Sequence, residues 1–296
     1  MELLGSYING NYTVFIYEDG TRFKETHDDK FIAEYPDSID CKITNWCDRM
    51  CRFCHEDSTP DGKHGDILNA KFIDTLRPYT EIAIGGGNPL SHPDLEEFLG
   101  KLKARNVIAN MTVNQKHFME ELSRIRRLTD EKLIYGLGIS YNVYDEDCID
   151  EVLKFPNAVL HVINGLTNTK MLQKISALSD GQLKLLILGY KEFRRGKEHH
   201  SQQVEAWKHE MFRMLPVIIK GFKVVSFDNL AIDQLDVKRL LNKEQWEQFY
   251  QGDEGQSSMY IDAVNRKFAI NSMSEQTFDL LDSIDDMFAV VKQINM

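Results

Sequence analysis

The sequence predicts an α/β fold, a parallel sheet of six or seven strands alternating with helices and carrying β-hairpin additions at both termini. Three observations predict it. Apolar, β-branched runs recur about 25 residues apart, the length of one strand–helix unit. Between them lie amphipathic segments with helix-start residues, and the 296-residue chain is 42% hydrophobic, enough for a sizeable core.

Residues 1–38 form the first addition, where "NYTVFIYEDGTRF" places Asp19-Gly20 between β-rich stretches, a hairpin signal. The core spans 39–230. Its strand runs are "IDCKITN" from Ile39, "EIAIG" from Glu81, "VIANMTV" from Val107, "LIYGLGIS" from Leu133, "AVLHVI" from Ala158, "LKLLILG" from Leu183 and "KVVSFDN" from Lys223. They are apolar with little alternation, as expected of parallel strands covered on both faces. In "SHPDLEEFLGKLKARN", Ser91 is a cap candidate, and Leu95, Phe98, Leu99 and Leu102 make an apolar stripe. Phe118, Leu122 and Ile125 repeat the pattern, as do Val204, Trp207, Met211 and Met214. Residues 231–296 read as helix, hairpin and helix, the hairpin turning at Asn265-Arg266. The last helix carries Phe278, Leu281, Ile284, Phe288 and Val291. The two hairpins are free to pair with each other or to cover an edge. Such a strand–helix series builds a complete or partial (β/α) barrel or an open doubly wound sheet. Both place ligands at the carboxyl ends of the strands.

The formal charge of −11 and pI near 5.3 repel phosphate backbones, which argues against nucleic-acid and anionic-membrane partners. No run approaches the roughly 18 apolar residues of a membrane span, and "MELLGSYING" lacks a signal-peptide pattern. A soluble cytoplasmic protein is the expectation. The five cysteines are odd in number, with three crowded together, a poor disulfide framework and a better metal site. Cys41 and Cys148 read as small buried side chains.

"CDRMCRFCH" sets Cys47, Cys51 and Cys54 in C-x3-C-x2-C spacing, with His55 next. A closed zinc site needs four ligands and usually two separated pairs. Here the fourth would have to be His55 or Cys41. Three thiolates without a clear fourth instead suit an iron–sulfide cube with one open iron.

This triplet, in a loop after the first core strand and with Phe53 just before its last cysteine, resembles the radical S-adenosylmethionine superfamily. The resemblance implies a partial (β/α)6 TIM-like barrel over residues 39–230, a 4Fe-4S cluster on the three cysteines, and S-adenosylmethionine as the second cofactor. In "IAIGGGNPL", Gly86, Gly87, Asn88 and Pro89 resemble the family's Gly-Gly-Glu-Pro segment, which contacts the amino group of S-adenosylmethionine; Asn88 stands where an acidic residue is usual. The resemblance further points to Ser140 and Asn142 for the methionine carboxylate or ribose, and to the Gly189 backbone for adenine. "HVINGLTN" matches the fifth-strand pattern at Ile163 and Gly165 but has His161 and Asn168 at the other marked places. The implied reaction is reductive cleavage of S-adenosylmethionine to a 5'-deoxyadenosyl radical that takes hydrogen from a small-molecule or peptide substrate. An electron donor such as flavodoxin or ferredoxin is implied with it.

Other polar residues mark the predicted mouth: His55 and His64 after the cluster, Arg194 and Arg195 as a carboxylate or phosphate site, and Ser226, Asp228 and Asn229 at the last strand end. Each also reads as an ordinary loop or turn residue. Tyr141 and Tyr190 read as radical shields or rim packing. Cys41 and Cys148 are too few for a second four-thiolate cluster. No residue is singled out for proton handling. Two other readings stand beside the enzyme: a zinc-stabilised binding protein, and a barrel that keeps the cluster as a non-catalytic scaffold.

Overall fold

A computed structural model describes residues 2–294. The chain opens with an antiparallel sheet of β1 (Leu3–Asn9), β2 (Tyr12–Tyr17) and β3 (Arg22–Thr26), one strand more than the expected hairpin. The Asp19-Gly20 turn joins β2 to β3, and Gly20 adopts φ +85°, which the tight turn requires. This sheet is tied to the rest through Asp37, which accepts hydrogen bonds from Tyr7 (2.9 Å), Asn9 (2.8 Å) and Tyr12 (2.7 Å) and pairs with Lys24 at 2.7 Å.

All seven apolar runs form strands: β4 (Ser38–Thr44), β5 (Glu81–Gly86), β6 (Ile108–Asn114), β7 (Gly136–Ser140), β8 (Ala158–Ile163), β9 (Lys184–Leu188) and β10 (Val224–Phe227). The C-terminal segment adds β11 (Ser258–Asp262), β12 (Lys267–Ala269) and β13 (Phe278–Asp279). The ten-stranded sheet runs β10-β9-β8-β7-β6-β5-β4-β11-β12-β13. From β4 to β10, neighbours in the chain are neighbours in the sheet and pair in parallel. A doubly wound sheet reverses its order at a switch point. None occurs between β4 and β10, so the doubly wound alternative falls.

The C-terminal hairpin forms as expected, and it does more than cover an edge. Strand β11 pairs in parallel with β4 and so extends the sheet; the two terminal additions do not pair with each other.

Burial along the strands alternates, although their residues are largely apolar. Ile82 and Ile84 of β5, Leu137 and Ile139 of β7, and Leu160 and Val162 of β8 are buried in the core. The intervening positions lie on the opposite face, half-buried at Gly85 and His161 and buried at Gly138. The expectation of strands covered equally on both faces is therefore corrected. One face packs under the helices, and the other lines a cavity to which β5 through β10 all contribute.

The connecting helices are α1 (Leu95–Ala104), α2 (Gln115–Glu120), α3 (Leu122–Asp130), α4 (Glu146–Val152), α5 (Thr169–Leu178), α6 (Arg195–His199), α7 (Gln202–Ile218), α8 (Asn229–Leu235), α9 (Lys243–Phe249) and α10 (Ile284–Ile294). The α1 stripe of Leu95, Phe98, Leu99 and Leu102 is wholly buried. Ser91 is not its cap: Asp94 precedes α1, and the Ser91 hydroxyl donates to the Asn88 carbonyl instead. Only the later part of the final stripe is helical, because Phe278 belongs to β13 and Leu281 is exposed. Ile284, Phe288 and Val291 of α10 are buried as expected.

Candidate functional site

The triplet occupies the loop that follows β4, at the carboxyl end of the sheet. That loop leaves the strand at Thr44 and returns against it: Asn45 N–H donates to Lys63 O (2.8 Å), Thr59 N–H to Asn45 O (3.1 Å) and Cys47 N–H to Thr59 O (2.9 Å). Cys47, Cys51 and Cys54 are free thiols, each half-buried. Burial pushes the Cys47 and Cys51 thiols up, and the negative ends of neighbouring cysteines add to it. The three thiols share one half-buried loop.

The second motif is joined to the first by backbone hydrogen bonds. Gly87 N–H donates to Thr44 O (2.8 Å) and Asn88 N–H to Trp46 O (2.7 Å). This contact is what requires the glycines. A Cβ on Gly87 would lie 2.1 Å from Trp46 O, and one on Gly86, whose φ is +110°, would lie 2.3 Å from Thr44 O. The Asn88 side chain accepts from Leu90 N–H (3.2 Å), so its amide oxygen closes the turn that Pro89 begins.

Ser140 ends β7 on the cavity face, half-buried. Beyond it Gln115 draws the backbone in, its Oε1 accepting from Asn142 N–H (2.7 Å) and Val143 N–H (3.0 Å). The Asn142 Oδ1 is left buried without a hydrogen-bond partner, an acceptor at the site's edge. Gly189 directly follows β9; its N–H donates to Asp228, and the space of its missing side chain is taken by Leu230 of α8. Phe53 turns toward α6, its ring 6.1 Å from that of His199.

Several candidates have structural employment. Arg194 Nη1 donates to Glu56 O (3.1 Å), and Arg195 bonds Asp57 Oδ1 (2.7 Å) and Ser58 O (2.5 Å). The two arginines clamp the loop behind the cysteines and are not poised for a free anion. Asp228 caps α8 through Ala231 N–H, and Asn229 donates to Gly252 O, whereas Ser226 opens on the cavity. Tyr141 and Tyr190 are buried with their hydroxyls bonded to Asp145 O and Gly196 O, which makes them packing residues of the rim. His64 Nδ1 meets Thr44 Oγ1 at 2.8 Å, and its ring stacks edge-on to His92.

Sequence reading passed over a buried ionic group beside the cysteines. Lys42 of β4 lies between Glu56 (2.9 Å) and Asp262 of β11 (3.4 Å), and Tyr260 donates to Glu56 at 3.3 Å. Burial alone would raise the Glu56 carboxyl; His55 and Lys42 outweigh it and hold the group well below the usual range. A lysine inside the apolar run "IDCKITN" was the available signal. His117 of α2 was also missed. Its Nε2 lies 2.6 Å from Oδ1 of Asp48, inside the C-x3-C segment, while the ring itself is buried. No local pattern links residues that are 69 positions apart.

Three free thiols in one half-buried loop suit a three-thiolate cluster, whereas a closed zinc site needs a fourth donor. Thiolates on one zinc ion sit about 3.8 Å apart. Among the described residues, the ligand atoms that do gather within 4.8 Å of one another belong to Glu192, His200 and Glu205, not to the cysteines. Both proposed fourth ligands are engaged elsewhere. His55 Nε2 faces Lys191 (3.3 Å) and Glu56 (3.4 Å), and Cys41 is sealed in the core, where burial pushes its thiol up to about 12. Cys148 is equally buried.

No protein-family model and no curated protein matches the chain. Solved structures of similar fold include SuiB of Streptococcus suis bound to its precursor peptide SuiA, with a TM-score of 0.61 at 13% identity over 87% of this chain and 65% of SuiB. They also include SuiB bound to S-adenosylmethionine, with a TM-score of 0.58 at 11% identity over 84% of this chain and 64% of SuiB. A third SuiB structure aligns with a TM-score of 0.53. The chain thus spans less than two thirds of SuiB's length, and the likeness is one of fold.

Proposed function

We propose that this chain is a radical S-adenosylmethionine enzyme acting on a peptide, its curled sheet serving as a partial (β/α) barrel. The observation that carries the reading is the hydrogen-bonded union of the cysteine loop with the Gly86-Gly87-Asn88-Pro89 segment, through Thr44 O and Trp46 O. The peptide substrate is supported by the fold shared with SuiB in complex with its precursor peptide.

Cys47, Cys51 and Cys54 would hold the 4Fe-4S cluster. When bound, that cluster supplies the electron that cleaves S-adenosylmethionine to a 5'-deoxyadenosyl radical, which then abstracts hydrogen from the substrate. The protein's part is positioning and exclusion of water. Gly85 leaves backbone bare near the strand end, while Gly86 and Gly87 admit the β4 loop against it. Asn142 Oδ1 offers an unused acceptor. Asn88 supplies a turn-closing oxygen where the family has a charge, which leaves recognition of the methionine amino group to backbone carbonyls. Lys42, Glu56 and Tyr260 brace the loop from below. A flavodoxin or ferredoxin would deliver the electron, and a reducing cytoplasm would keep the thiols available.

The test is anaerobic reconstitution with iron and sulfide, reduction, and incubation with S-adenosylmethionine. 5'-Deoxyadenosine should form with the wild type and be abolished in Cys51→Ala. A fully loaded wild-type cluster that yields none ends the proposal.

A further inference from the structure

Below the strand ends the cavity face encloses about 670 Å³, within the range of small-ligand sites. Its floor is formed by the β2–β3 turn around Asp19 and Gly20. Its wall at mid-height is formed by Thr112 of β6, Gly138 of β7, His161 of β8 and Ser226 of β10. Thr112 and Gly138 lie two residues before Asn114 and Ser140, which end their strands, so this wall sits about 7 Å below the mouth. A group bound there would be within reach of a cofactor held at the carboxyl ends.

The wall is shaped around the histidine. A Cβ on Gly138 would lie 2.3 Å from Cε1 of His161 and 2.7 Å from Oγ1 of Thr112, so imidazole and hydroxyl converge over a residue that must have no side chain. Among the described residues the imidazole has no hydrogen-bond or ion-pair partner, and neither ring nitrogen is sealed from the cavity. Burial alone brings its pKa down to about 4. The charges of the chamber lie at its lower end. Glu81 is paired with Arg22 at 2.7 Å, and Lys184 reaches the Asp19 carbonyl at 3.4 Å beside Lys223.

We propose that this chamber holds the substrate and that His161 and Thr112 bind an uncharged hydrogen-bonding group of it, an amide or hydroxyl, in preference to an amine or a carboxylate. A neutral imidazole offers a carboxylate no counter-charge. An ammonium beside it would be buried without a counter-charge. An amide satisfies both ring and hydroxyl, and a peptide substrate is rich in amides. That the bound group reacts there rests on the radical S-adenosylmethionine reading; that it binds there does not.

The two parts are separable by experiment. Reconstituted protein with isotope-labelled histidine nitrogens is titrated with N-acetylglycinamide, acetate and methylammonium, and the His161 resonance is assigned by its loss in His161→Gln. The neutral amide should shift His161 saturably at concentrations up to about 100 mM, a weak-fragment affinity, while the two ions do not. Gly138→Ala, which crowds the imidazole, should weaken the response roughly fivefold, the worth of one hydrogen bond. Thr112→Val serves the same purpose if Gly138→Ala does not fold. The proposal is overturned if either ion shifts His161 as strongly as the amide, or if no probe shifts it. Formation of 5'-deoxyadenosine by the wild type is followed in parallel without substrate. Its absence in the wild type, with amide binding intact, would remove the functional reading and leave the binding site standing.

Discussion

The side-chain contact between His117 and Asp48 reaches into the cysteine segment from another strand–helix unit. Asp48 lies between Cys47 and Cys51, and the neighbouring Arg49, joined by the hydrogen bond from His117, holds its carboxyl well below the usual range. A hydrogen bond to a charged group is worth about 1.5–3 kcal/mol, and groups that orient a metal-binding segment typically matter about tenfold or more in metal retention. His117→Ala should therefore lower iron per chain after reconstitution about tenfold under limiting iron, with His117→Asn partly restoring it and far-ultraviolet dichroism unchanged. Equal iron retention in His117→Ala and wild type would reduce the contact to packing. His117 also shows where residue-level reading from sequence stops. C-x3-C-x2-C is legible because its members are consecutive in a loop and their spacing follows from the size of the ligand. The histidine that steadies it comes from another strand–helix unit, and nothing in "NQKHFME" singles it out.

At the scale of elements, the site depends on the junction of the β4 loop with the end of β5. The three glycines of "IGGGNP" look interchangeable in the sequence and are not so in the fold. Gly85 has no atom within 4 Å of where a Cβ would stand, whereas Gly87 abuts Trp46 O at 2.1 Å. Gly87→Ala must push the two backbones apart and loosen the bond from Asn88 N–H to Trp46 O. The cost should be about 1–3 kcal/mol, seen as a Tm lowered by several degrees and as cluster loss. Gly85→Ala should match the wild type in thermal stability. If the two variants melt alike, close approach of the strand ends is not what the glycines serve. The strands themselves were readable from their apolar runs. The difference between their two faces was not, since glycine, threonine and histidine on the cavity side do not interrupt an apolar run strongly enough to mark a lining.

At the scale of the whole molecule, a buried carboxylate, Asp37, gathers the largest set of side-chain bonds that tie down the N-terminal sheet. Asp37 and Lys24 are both withdrawn from solvent, with side chains 0% and 7% exposed. Burial pushes the Asp37 carboxyl up; Lys24 and the bonds from Tyr12 and Asn9 outweigh it, and the net shift is downward. A carboxyl whose folded pKa is depressed stabilises the protein above its unfolded pKa, near 4, and that contribution is lost as pH falls through the folded value. Asp37→Ala leaves Lys24 buried and unpaired and should cost about 3–5 kcal/mol, measured by denaturant unfolding at neutral pH. The wild type should also lose stability below about pH 4 more steeply than Asp37→Ala. A variant within about 0.5 kcal/mol of the wild type, the usual spread of inconsequential surface changes, would mean that the sheet is held by other contacts. Because the β2–β3 turn floors the chamber, loosening this tether should also open the cavity from below. What the sequence by itself determined was local and periodic: the alternation of strands and helices, the terminal turns, the cysteine triplet and the glycine segment, all set by spacing along the chain. Only the tertiary structure decided which residues meet. It seated β11 against β4, turned Arg194 and Arg195 onto the loop they steady, engaged His55 with Lys191 and Glu56 and sealed Cys41 in the core, and brought Thr112 and His161 together over Gly138. The physical reason is that these contacts join residues far apart in the chain, whose pairing is selected by burial, charge and backbone approach and leaves no period to read.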